Sequence, residues 1–223
     1  MTELRLVEPE ADDGPFSAGT PLPLRLPRGR HGIPAGVVTE HQRLRLLSAM
    51  TAALGEYGYA NVTATQVSEL ANVSTSTFYK HFGNLWDCLL AAYVAAADRL
   101  CTVIETRCAE LEPGADPVLA GIEAGLGLFS AEPELGLLLS AQAPRESPAI
   151  SAARRLLVSR LAEMLRRAGP EDDGGRRPVG LDERLIDASL TFLHAQIARD
   201  ATDGLPAHAA ELAAILGRPR VAA

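Results

Sequence analysis

Apolar positions along this chain recur at helical spacing, and the breaks between them fall on glycine, proline and asparagine. From residue 39, Leu47, Met50, Leu54 and Tyr57 follow one another at steps of three and four, an amphipathic stripe that predicts a helix ending at Gly58. Thr39 and Gln42 fit a Thr-x-x-Gln capping box at its start. A second box, Thr63 and Gln66, opens a short helix whose buried face is Val67, Leu70 and Ala71. That helix ends near Asn72, one of the few residues besides glycine that tolerates a left-handed backbone. Ser74 then caps a third short helix reaching Phe82. Two short helices joined by a tight turn, the second opening Ser-Thr-Ser-Thr, predict a helix-turn-helix.

After Gly83-Asn84 a long helix is expected from Leu85 to Leu111, about 40 Å at 1.5 Å per residue. Its marked face carries Trp86, Leu90, Tyr93, Ala97, Leu100, Ile104, Cys108 and Leu111. Pro113-Gly114 ends it. Further helices are expected over 116–131, 133–142, 147–168, 181–202 and 206–216, separated by prolines and glycines. The segment 170–180 reads as a loop. No strand and no internal repeat is legible. The expected fold is all-α, with three divisions: an N-terminal arm over 1–38, a three-helix helix-turn-helix domain over 39–84, and a helical bundle over 85–223.

Composition agrees. The 223 residues are 47% hydrophobic but only 4% aromatic, so aliphatic side chains and alanine must fill the core. No apolar run reaches the roughly 18 residues that a membrane span requires. The first 30 residues carry acids and prolines instead of a basic start and an apolar core, which is not a secretory signal. A cytoplasmic protein without membrane contact is expected. Cys88, Cys101 and Cys108 form no Cys-x-x-Cys pair and read as small apolar core residues, not as metal ligands.

The net charge of −7 conceals an asymmetry. Residues 1–24 carry −4, residues 25–85 carry +3, and residues 86–223 carry −6. A basic segment between acidic ones suggests that one surface meets a polyanion. Pro27-Arg28-Gly29-Arg30-His31 precedes the helix-turn-helix; Arg28 and Arg30 could enter a narrow minor groove from an extended arm, or belong to a solvated linker. Catalytic constellations are missing: there is no Ser-His-Asp context, no His-x-x-x-His spacing and no glycine-rich phosphate loop followed by lysine. Neither an enzyme nor a cofactor is expected.

The segment Arg43 to Leu89 resembles the DNA-binding region of the tetracycline-repressor (TetR) family. The resemblance rests on Gly58-Tyr59, Thr63, Val67-Ser68, Ala71-Asn72-Val73-Ser74 and Thr77-Phe78-Tyr79-Lys80-His81-Phe82, and covers about a fifth of the chain. Three positions depart from the family pattern. Asn72 stands where glycine is usual, Ser68 where alanine is common, and Leu85 where a phosphate-contacting lysine is frequent. The resemblance implies double-stranded DNA as a partner, with the N-terminal part of the third helix in the major groove. Thr75, Ser76 and Thr77 could there reach bases or phosphates. Tyr79 is implied to donate to phosphate, unless it packs on the first helix. Lys80 and His81 are implied to contact backbone or bases. Thr65 falls where relatives touch DNA, and Thr63 could donate to phosphate while capping. Phe78 and Phe82, four apart, are expected to face inward.

For the bundle, the resemblance implies an effector-binding and dimerising domain. Tyr93, Ala97, Ile122, Leu126, Phe129, Leu161 and His194 are candidates for lining an apolar effector pocket, and each could equally be ordinary core; His194 is more often a hydrogen-bonded core histidine. The last two helices are implied to form a homodimer interface through Leu185, Leu190, Leu193, Ile197, Leu212, Ile215 and Leu216. The function implied is a transcriptional regulator, a repressor released from a palindromic operator by an unknown small molecule. The alternative is a helical DNA-binding or interaction protein governed by a protein partner without such an inducer.

Overall fold

The computed structural model describes residues 35–141, 147–168, 180–199 and 202–217, and the fold is all-α. Arg28 and Arg30 lie outside the described residues. The helices are α1 (Ala35–Tyr57), α2 (Ala64–Leu70), α3 (Thr75–His81), α4 (Leu85–Ala109), α5 (Pro117–Ala131), α6 (Pro133–Ser140), α7 (Pro148–Ala168) and α8 (Leu181–Ile197). A 3-10 turn, Thr202–His208, leads into α9 (Ala209–Leu216). No described helix is long and apolar enough to cross a membrane.

Several element boundaries differ from the sequence expectation. The first helix begins at Ala35, so Thr39 sits a full turn inside it and is not its cap. Gly36 falls in the first turn of α1, where it does not end the helix. The long helix stops at Ala109, two residues short of Leu111. The helix expected over 206–216 is α-helical only from Ala209, because Pro206 lies inside the preceding 3-10 turn. Trp86, placed on the inward face of the long helix, is 39% exposed.

The three N-terminal helices are built by local chemistry. Thr63 accepts a hydrogen bond from the Gln66 amide while the Gln66 side chain accepts one from the Thr63 amide at 2.8 Å, satisfying both orphan donors. Ser74 Oγ accepts from the Thr77 amide at 3.0 Å. Between them the chain turns at Asn72, whose φ of 49° is left-handed. Arg45 of α1 donates to the carbonyl of Ala71 and, at 3.1 Å, to that of Asn72, tying the turn to the helix behind it.

A hydrophobic core runs without interruption from this domain into the bundle. Leu46, Met50, Val67 and Phe78 are fully buried with Cys88, Leu89 and Tyr93 of α4. α1 packs on both α4 and α6, which seats the small domain on the large one. Further along, α4 packs on α5 and α7, α8 packs on α6 and α7, and α9 closes against α5. Gly136 allows α6 to approach closely, since a Cβ there would sit 2.6 Å from Ile197 Cδ1 and 3.3 Å from Phe129.

Candidate functional site

α3 has two unlike faces. Phe78 and Phe82 point inward, at 0% and 6% exposure, with ring centroids 5.7 Å apart. Arg43 of α1 lies over the Phe82 ring, 5.9 Å from its centroid. The opposite face carries Ser76, Tyr79 and Lys80 at i, i+3 and i+4, all exposed. Tyr79 is 56% exposed and its ring meets the edge of Phe78 at 5.3 Å, so its hydroxyl end is free to leave the protein surface. Thr65 of α2 is exposed as well. Thr75 and Thr77 are half-buried; the Thr77 hydroxyl is engaged with Ser74 Oγ at 2.9 Å. Thr63 is exposed but its hydroxyl already donates to Gln66 Oε1 at 2.8 Å, so contact with another partner would share or replace that bond.

His81 is half-buried, with Nε2 3.4 Å from Gln42 Oε1 of α1. Burial lowers its pKa below the ordinary 6.5, and Arg43 nearby adds to the effect. Sequence reasoning did not assign Gln42, Arg43 and Arg45 to this surface. The basic charge of the segment was the only signal pointing to them.

A cavity of about 460 Å³ lies between α4, α5, α7, α8 and α9. Four of the seven residues expected in a pocket line it: Ile122, Leu126, Phe129 and Leu161. Tyr93, Ala97 and His194 do not. Tyr93 and Ala97 precede the stretch of α4, from Leu100 to Cys108, that lines it. His194 Nδ1 is 3.2 Å from Ser140 Oγ, the hydrogen-bonded core histidine foreseen as the alternative. The cavity is also walled by Ile104, Cys108 and Met164, none of them among the seven pocket candidates.

The candidate dimer residues are mostly turned inward. Leu190, Leu193, Leu212 and Leu216 line the cavity, and Ile197 is 4% exposed. Leu185 is half-buried against the core, and Ile215 is 40% exposed. What α8 and α9 present outward is Arg184, Ala188, Thr191 and Phe192, and Ala210, Glu211, Ala214 and Ile215.

Polar contacts gather at α6, one of them across the domain boundary. The Tyr59 hydroxyl, just beyond α1, donates to the Leu138 carbonyl of α6 at 3.2 Å. Arg154 of α7 is buried, donates to the carbonyls of Leu139 and Ala141 at 3.1 Å each, and pairs with Asp187 of α8 at 2.7 Å.

A helix-turn-helix with an exposed polar face is here seated on a larger helical bundle that has its own cavity. Residues 46–92 match the family described as bacterial regulatory proteins, tetR family. Residues 46–92 thus carry a TetR-family DNA-binding segment, and the fold is similar to that of solved TetR-family regulators. Among solved structures, it is similar to the fatty acid degradation regulator FadR from Bacillus halodurans, with TM-score 0.65, 14% identity, and coverage of 79% of this chain and 98% of that one. FadR from Bacillus subtilis, solved in complex with stearoyl-CoA, gives TM-score 0.66, 15% identity, and coverage of 78% and 96%. A TetR-family regulator from Syntrophomonas wolfei gives 0.63, 18%, 79% and 95%. No curated protein matches the chain.

Proposed function

We propose that this protein is a repressor that binds a palindromic operator as a homodimer and leaves it when a small molecule fills the cavity of the bundle. The observation that carries this is the pairing, in one chain, of an exposed polar face on α3 with an apolar-lined cavity in the helices behind it.

On DNA, α3 lies in the major groove. Ser76, Tyr79 and Lys80 are its outward side chains, Tyr79 and Lys80 donating to phosphates. Thr65, Thr75, Thr77 and His81 flank them, and Thr63 stands at the start of α2. Such contacts set register and orientation more than sequence preference. Arg28 and Arg30, if they reach the adjoining minor groove, add to the electrostatic part of the affinity.

The dimer forms through the outward faces of α8 and α9, with Phe192 and Ile215 at its centre in place of the inward leucines. A two-fold dimer holds two α3 helices about one DNA turn apart, or a multiple of that, and so prefers an inverted repeat. The ligand acts by population shift: it binds better to a state whose α3 spacing does not fit the operator. A coupling of about 1–3 kcal/mol weakens operator binding by roughly 5- to 150-fold. That a structure of similar fold was solved with a bound ligand supports the cavity as the effector site.

Footprinting on a fragment retained from the source genome tests this. Protection of two half-sites related by a two-fold axis, by a species that sediments as a dimer, is expected. Protection of a single asymmetric site by a monomer would overturn it.

A further inference from the structure

The helices α1, α2 and α3 carry no net formal charge: Arg43, Arg45 and Lys80 are balanced by Glu40, Glu56 and Glu69. Attraction to a polyanion therefore depends on where these charges stand. Two of the acids stand together. Glu56, by a hydrogen bond and by its charge, and then Glu69 push the Tyr57 pKa up, so both carboxylates lie near the last turn of α1. Arg45 is spent on the carbonyls of Ala71 and Asn72. Arg43 stands about 20 Å from Glu56 along α1, at 1.5 Å per residue, and meets the end of α3.

That end is held in place from two helices. Arg43 Cζ lies 5.9 Å from the centroid of the Phe82 ring, which is buried and gives the guanidinium a fixed platform. The His81 ring lies 6.3 Å from the Phe82 ring, and its Nε2 is 3.4 Å from Oε1 of Gln42, the residue before Arg43. Lys80 is exposed beside it. Burial lowers the His81 pKa first; Arg43 and Lys80 add to the fall and Glu40 opposes it, so all three charges reach one ring. A guanidinium lying over a ring keeps its N–H edge free, and that fork matches two oxygens of one phosphate. Among the described residues, the acid paired with Arg43 is Glu40, one turn back at 3.9 Å, with side chains 41% and 59% exposed. A pair so long and so exposed is weak.

Taking α3 as the DNA-reading helix proposed above, we infer that Arg43 of the first helix grips one DNA phosphate together with Lys80 and His81, and that Glu40 is the internal counter-ion which this phosphate displaces. The grip carries no base information. It adds the same increment of affinity on every sequence and fixes how the duplex lies across α3.

The test is titration of the full chain, at several salt concentrations, with two labelled duplexes of equal length: the genomic fragment it retains best and an unrelated sequence. Arg43→Met keeps an apolar stem over Phe82 and removes the charge. It is expected to weaken binding of both duplexes by the same factor, about tenfold. The slope of log affinity against log salt is expected to shrink by about 0.9, the share of one phosphate contact. An Arg43 that merely fastens α1 to Phe82 would lower stability and leave that slope alone. Glu40→Gln is expected to tighten both duplexes about threefold, a gain that misfolding cannot produce, and to gain less in the Arg43→Met background. An unchanged slope in Arg43→Met, or a gain from Glu40→Gln that is absent or equal in both backgrounds, would overturn the inference. The two duplexes keep it apart from the reading it rests on. If the native protein prefers its own fragment and Arg43→Met keeps the native slope, the grip alone fails. If the native protein binds both duplexes equally, the sequence-reading role of α3 fails, and the Arg43→Met slope on that common binding still decides the grip. Binding that does not depend on salt contradicts both.

Discussion

The hydroxyl of Tyr59 and the carbonyl of Leu138 are joined across the boundary between the DNA-binding domain and the bundle by a 3.2 Å hydrogen bond. Tyr59 follows α1, and burial pushes its pKa well above the ordinary phenol value, so it remains a neutral donor. Tyr59→Phe keeps the ring and removes the donor. The expected loss is about 1 kcal/mol of stability, in the range of an ordinary hydrogen bond, read as a lower urea midpoint with an unchanged slope. If the bond also transmits the ligand signal, operator release by a saturating ligand weakens in the same variant.

Arg154 ties helices within the bundle, where a single guanidinium holds the last carbonyls of α6 and also Asp187 on α8. Arg154→Met fills much of the same space but leaves those buried carbonyls without a donor. About 2–3 kcal/mol should be lost. Asp187→Asn should cost less than about 1 kcal/mol, because the Asp187 side chain is 49% exposed and water screens its charge. Equal losses in the two variants, read by denaturant unfolding, would contradict the assignment of the larger share to the carbonyls.

Asn72 holds the left-handed turn between α2 and α3 at φ 49°. Asn72→Gly is expected to leave stability and DNA affinity nearly unchanged. Asn72→Ala is expected to cost about 1–2 kcal/mol, since a Cβ without a local hydrogen-bonding group is strained there. Thermal unfolding of the two variants separates conformational strain from loss of a side-chain contact. A large loss in the glycine variant would point to the contact.

His81 should carry two pH effects of opposite sign. Its folded pKa is lowered, first by burial and then by Arg43, so the unfolded chain takes up the proton more readily. Stability therefore falls as pH drops through the ordinary value of 6.5, and stops falling below the folded value. His194, lowered by burial and by Arg154, adds a slope of the same sign. On DNA a phosphate beside His81 favours the protonated ring, so operator affinity should rise as pH falls from about 7.5 to about 6. His81→Gln is expected to abolish the rise in affinity while keeping the His194 part of the stability slope. An affinity that does not change with pH in the native protein would place His81 away from phosphate.

Much of the DNA-binding domain was legible because its determinants are local. The Thr63–Gln66 box, the Ser74 cap, the left-handed Asn72 and the inward Phe78 and Phe82 each follow from neighbours a few residues away. The same locality misled at Thr39, where a capping pattern occurs inside a helix that starts at Ala35. The bundle was less legible because periodicity shows which face is inward but not what that face meets. Along α4, Tyr93 and Ala97 stand before the stretch that lines the cavity, whereas Ile104 and Cys108 belong to it. Likewise the leucines of α8 and α9 are apolar at helical spacing whether they meet a second copy or their own chain. Leu190, Leu193, Leu212 and Leu216 meet their own chain, at the cavity.

The most direct measurement mixes the purified protein with fragmented genomic DNA of its source near physiological salt, and sequences what is retained, with a Tyr79→Ala, His81→Ala double variant alongside. The account predicts that the native protein enriches a fragment containing an inverted repeat, that the variant does not, and that both show the same helical circular dichroism. Equal retention by the native protein and a folded variant, or no enrichment by either, would contradict the claim that α3 reads DNA.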